Sequence, residues 1–133
     1  MMWDVVVKDW LTLVNADTAL TTLLGGKHIY PAQSSRPVRI PSVEWSLIYD
    51  QEEEIHNPIL IQVDIFASVT KEPQIERRIR RLTHRDVARV LGGNRLWTRY
   101  IDSRNHAYPA DASVLHRSLD FEFKPVREKY VTL

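Results

Sequence analysis

Apolar residues recur along this chain in two different rhythms. From Val5 to Leu24 they fall at Val6, Val7, Trp10, Leu11, Leu13, Val14, Ala19, Leu20, Leu23 and Leu24, at steps of three and four that mark a helix with one buried face. Asp17 followed by Thr18 has the chemistry of an N-cap, so the stretch predicts one bent helix or two short ones, broken near Asn15 and ended by Gly25-Gly26. Ile29-Tyr30 is then a brief edge strand at most, because Pro31, Pro37 and Pro41 cannot donate to a sheet ladder and the residues among them read as a loop. At Val43 the rhythm changes to two. Val43, Trp45, Leu47 and Tyr49 alternate with Glu44, Ser46 and Ile48, and within Ile55 to Ala67 the set Ile59, Ile61, Val63 and Ile65 alternates with Leu60, Gln62, Asp64 and Phe66. The polar residues between the two runs predict a hairpin with a solvated tip.

The helical period returns from Pro73 to Leu91. Pro73 suits a first turn, Ile75, Ile79, Leu82 and Val90 share a stripe, and Gly92-Gly93 stand where a helix would stop. Leu96 to Ile101 is a candidate strand, Asn105 to Ala112 a turn, and Ser113 to Val126 a final strand with Val114, Leu119, Phe121 and Phe123 set against Asp120, Glu122 and Lys124. Helix, hairpin, helix, hairpin predicts an α+β fold: a mostly antiparallel sheet of about four strands with helices packed on one face. The 133 residues suit a single domain, 1–133, with 124–133 as an extended C-terminal arm.

Composition narrows the chemistry. With no cysteine there is no disulfide, thiolate metal site or cysteine nucleophile. The N-terminus lacks a basic region and meets Asp4, Lys8 and Asp9 early, so it does not read as a signal peptide, and no apolar run is long enough to span a bilayer. A soluble chain with no membrane partner is expected. His28, His56, His84, His106 and His116 are scattered, with none of the i,i+4 spacing of helical metal sites, and no metal is expected. There is no Gly-x-Ser-x-Gly elbow and no phosphate-binding glycine loop. Asp64, inside an apolar strand, either faces solvent or needs a partner, and its mixed face with Leu60 and Gln62 favours solvent. The expectation is no enzyme, no catalytic residue, no cofactor and no small-molecule substrate.

Charge is where position matters. The totals, 18 Lys and Arg against 17 Asp and Glu, nearly cancel. Yet Asp50, Glu52, Glu53 and Glu54 gather four negative charges on the hairpin connection, while Arg77, Arg78, Arg80, Arg81, Arg85 and Arg89 crowd one predicted helix. That helix reads in three ways: a solvated face balanced by Glu72, Glu76 and Asp86, a phosphate-tracking surface, or an interface in which guanidinium forks meet carboxylates. The interface reading pairs Asp50, Glu52, Glu53 and Glu54 with Arg78, Arg81 and Arg85 of a neighbouring subunit or partner.

The order of elements resembles a known family. Leu24-Gly25-Gly26, Ile29-Tyr30-Pro31, the lead into Pro41-Ser42-Val43-Glu44-Trp45 and, above all, the strand Ile61-Gln62-Val63-Asp64-Ile65-Phe66-Ala67 followed by a helix are similar to the tail-completion or tail-terminator proteins of long, flexible-tailed bacteriophages and prophages. The resemblance runs from about Val5 to Phe123, and its motifs are structural. It implies a virion protein that caps the tail tube, ends tube polymerisation and joins the head connector, acting as a ring, usually a hexamer. The implied partners are copies of itself, the tail tube protein and the head connector protein, with nucleic acid only by proximity to packaged DNA. The implied locations are the virion's head–tail interface and, during assembly, the host cytoplasm. Three successive glutamates in the hairpin connection and the arginine-rich helix depart from the simplest pattern. The alternative function is a small nucleic-acid-binding domain using the arginine-rich helix 73–91.

Overall fold

The corner near Asn15 follows from local chemistry. In a computed structural model that describes residues 3–32, 39–49, 58–108 and 111–126, α1 (Trp3–Asn15) ends there and α2 (Thr18–Leu24) begins. The Asp17 side chain caps α2 by accepting from the Leu20 amide at 2.9 Å. Gly25 closes it in the left-handed conformation, φ 76°. Trp3, Val6, Val7, Trp10 and Val14 form the buried face of α1.

Six strands follow or alternate with one more helix: β1 (Ile29–Pro31), β2 (Ser42–Tyr49), β3 (Ile59–Ser68), α3 (Glu72–Thr83), β4 (Arg89–Leu91), β5 (Asn94–His106) and β6 (Val114–Pro125). They form one mixed sheet in the order β1-β2-β3-β6-β5-β4, curled into a half-barrel. This corrects the expected sheet of about four, mostly antiparallel strands. The α+β class stands, but two short edge strands enlarge the sheet, and β1 lies parallel to β2.

Helix α3 stops at Thr83 rather than running to Leu91, because His84 turns extended at φ −75°, ψ 130°. The Arg89 guanidinium reaches back to the carbonyls of Leu82, at 2.9 Å, and Thr83, at 3.5 Å. Those are last-turn acceptors that the helix itself leaves unpaired. Arg89 to Leu91 form β4, and Gly92-Gly93, with φ of 58° and 76°, are the two-residue turn of the β4–β5 hairpin. Val90, assigned to the apolar stripe, is exposed.

The alternation read from β3 is the one the fold uses. Ile59, Ile61, Val63 and Ile65 are each fully buried, and the first three pair with Phe123, Phe121 and Leu119 of β6 on the face that the helices cover. Trp10 meets Phe123 edge-on at a centroid distance of 6.3 Å, and its indole N–H donates to the buried Thr83 hydroxyl at 3.0 Å. Ile75 and Ile79 seat α3 on the same core. Burying each such side chain stabilises the fold by ~1.5–3 kcal/mol.

Candidate functional site

Two polar surfaces emerge. On the helical side, Leu23 of α2 and Gln74, Arg77, Arg78 and Arg81 of α3 line a shallow groove. It exists because Ile75 and Ile79 face inward, which turns the residues between them outward. Arg78 is already engaged: its Nε and Nη2 donate to the two oxygens of Asp17 at 2.8 and 2.5 Å. These bonds hold the Asp17 carboxyl below the usual carboxylate range, with the Leu20 amide adding to them and burial opposing. Arg80 lies 3.9 Å over the Tyr100 ring and donates to Glu76 at 3.0 Å. Arg77, Arg81 and Arg85 are exposed and form no ion pair among the described residues. Arg85 lies beyond the end of α3, where its amide donates to the Thr98 carbonyl of β5 at 3.0 Å. Asp50, Glu52, Glu53 and Glu54 lie outside the described residues.

The second surface is the sheet face opposite the helices. Period-two alternation puts Gln62, Asp64 and Phe66 of β3 there, and antiparallel register sets them against Asp120, Ser118 and His116 of β6. The β5–β6 register adds Arg104 opposite Ser118 and His106 opposite His116. A chain of hydrogen bonds results. Arg104 donates to both oxygens of Asp120, at 2.6 and 3.2 Å, and to Gln62 Oε1 at 3.3 Å. Gln62 Nε2 donates to Asp64 Oδ2 at 2.9 Å. His116 Nε2 lies 2.9 Å from Asp64 Oδ1, which also accepts from the Ser118 hydroxyl, and His106 Nε2 lies 2.8 Å from that hydroxyl.

Asp64 is therefore buried and bound, not solvent-facing as its neighbours in sequence suggested. Burial pushes its carboxyl up, but the bonds from His116, Ser118 and Gln62 together outweigh it, leaving its pKa below the ordinary value. The Asp120 carboxylate raises the pKa of Arg104 in turn. Serine, histidine and aspartate are all present, yet they do not form a hydrolytic relay. Ser118 is fully buried, and its hydroxyl donates to the carboxylate that would have to orient the histidine.

Sequence reasoning missed this cluster because ten residues separate His106 from His116 and fifty-two separate Asp64 from His116. The usable signal was the alternation itself, since Asp64, His116 and Ser118 all fall on the non-core parity of strands that were recognised. Asp17 was read as a cap, but its second role, as the partner of Arg78, joins α2 to α3 and has no local signature.

No family model matches the chain, and no curated protein does. Among solved structures, the chain is similar to a chain in the virion of native gene transfer agent (GTA) particle, with a TM-score of 0.65 and 13% identity, over 89% of this chain and 92% of that one. At that identity the likeness is one of fold.

Proposed function

We propose that this chain is a structural virion protein that caps a tail tube as a ring and forms the joint to the head connector. The observation that carries the reading is that a subunit of a gene transfer agent virion shares its fold over nearly the whole of both chains. The resemblance of Ile61 to Ala67 and the helix after it to the tail-terminator pattern supports the finer assignment. A ring needs two different, complementary surfaces on each subunit, related by a rotation that closes. On this reading the groove lined by Arg77 and Arg81, together with exposed Arg85 past the end of α3, receives the carboxylates of Asp50, Glu52, Glu53 and Glu54 from a neighbour, while Arg78 stays with Asp17. The role is assembly, not catalysis.

Light scattering of the purified chain over a range of concentrations, with electron microscopy of the chain mixed with tail tubes, tests this. Rings in solution or on tube ends are expected. Replacing Arg77, Arg81 and Arg85 by Glu should weaken them, and the wild-type contact should loosen as salt rises. A chain that stays monomeric at every concentration and leaves tube ends bare overturns the reading. Steep, salt-dependent binding to duplex DNA in a gel shift would instead favour the nucleic-acid alternative.

A further inference from the structure

Strand register brings two imidazoles and a carboxylate together at the end of the sheet where β5 and β6 connect. One ligand atom from each of Asp64, His106 and His116 lies within 4.8 Å of the others. The two rings are 4.5 Å apart, and Phe66, which meets Tyr108 in a T-shaped contact at 5.9 Å, stacks on His116 at 4.3 Å. Asp64 is buried, His116 half-buried and His106 exposed, so the cluster is walled on one side and open on the other. The Asp64 carboxylate is held at Oδ2 by Gln62 Nε2 and at Oδ1 by the Ser118 hydroxyl, which also touches His106. Such outer hydrogen bonds hold a metal-binding carboxylate in place.

We propose that Asp64, His106 and His116 bind one divalent ion of the zinc type. Two imidazoles and one carboxylate suit a borderline ion, whereas magnesium and calcium favour oxygen donors alone. Bonds of ~2.0–2.2 Å around one ion set donors about 3.4 Å apart, so His116 Nε2 and Asp64 Oδ1, now 2.9 Å apart, part slightly to admit it. The exposed side of His106 leaves the fourth position to water. The ion replaces the direct His116–Asp64 bond and ties β3, β5 and β6 together. The site is independent of the tail-capping role.

The test uses the tag-free full chain, stripped with EDTA and titrated with zinc chloride, with magnesium chloride as the control. Calorimetry should show one saturable zinc site and none for magnesium. Among the five histidines, NMR of the wild-type imidazoles should shift His106 and His116 and leave His28, His56 and His84 in place. H106Q and H116Q should each lose zinc affinity at least tenfold, and S118A about tenfold. No saturable binding below about 100 μM zinc, or binding that leaves the His106 and His116 signals unmoved, overturns the proposal. The wild-type NMR readout does not depend on any variant folding.

Discussion

The two glycines of the β4–β5 turn are unequal. At Gly92, where φ is 58°, an added Cβ would come within 2.9 Å of the Val6 backbone nitrogen, and its own amide donates to Asp9 at 2.6 Å. Gly93 has φ 76° and open space around it. Left-handed backbone alone costs an L-residue ~1–2 kcal/mol. G93A should therefore lower stability by about that amount in urea unfolding, and G92A by clearly more, because α1 must also shift. Equal losses would mean that the turn does not seat α1. Asp17 offers a second residue-scale measurement. Its pKa is lower folded than unfolded, so the stability it contributes is present above the unfolded value, about 3.9, and is lost as pH falls through the folded value. The melting temperature of D17N should start lower at neutral pH and fall less steeply with acid below about pH 5. The capping role of Asp17 was legible in four letters of sequence, since a cap is local. Its bond to Arg78 was not, because 61 residues separate them.

At the scale of elements, α3 is fixed at both ends by side chains from the sheet. Glu72 in its first turn is completely buried and accepts from Arg117 Nε at 2.9 and 3.0 Å, while Arg117 also donates to Ser103 at 3.0 Å. At the other end Arg89 takes the last carbonyls. Removing one partner of a buried ion pair leaves the other uncompensated, typically at ~3–5 kcal/mol. E72Q should accordingly lower the urea midpoint by a shift equivalent to about 3 kcal/mol. A loss no larger than the ~0.5 kcal/mol typical of an exposed i,i+4 helix pair would refute the anchoring role. The same arrangement explains why the helix was overextended in the sequence reading. No Gly or Pro stands between Thr83 and Gly92, and the extended turn at His84 is held by strands that lie later in the chain, with Arg89 of β4 on the Leu82 carbonyl and the Arg85 amide on the Thr98 carbonyl of β5. The strands β3 and β6 needed no such help, because period-two alternation carries both their identity and their buried face, whereas β5, expected only from Leu96 to Ile101, runs from Asn94 to His106 and takes in the first two residues of the expected turn.

For the whole molecule, the sheet runs from one three-residue edge, β1, to another, β4, with β3 and β6 at its centre. Amide exchange should follow that order, slowest in β3 and β6 and fastest in β1 and β4. Slow exchange in β4 would contradict it. The sheet's extent was hard to read from sequence because an edge of three residues is too short to display a period. The polar cluster on the open face has a further consequence, which concerns how the halves of the sheet find one another. β2–β3 and β5–β6 are pairs of strands that follow each other in the chain, whereas β3 and β6 meet across 64 residues, from Ile59 to Phe123. A slip of one residue along that seam would turn the apolar residues of β6 outward, and hydrophobic burial forbids it. A slip of two keeps every face intact, so burial alone is nearly blind to it. In one direction such a slip sets Asp64 opposite Asp120, and in the other it sets Asp64 opposite His116 but takes Ser118 away to Gln62. The hydrogen bonds among Gln62, Asp64, His116 and Ser118 therefore act as a vernier, reinforcing the one alignment that also keeps Phe123 against Trp10.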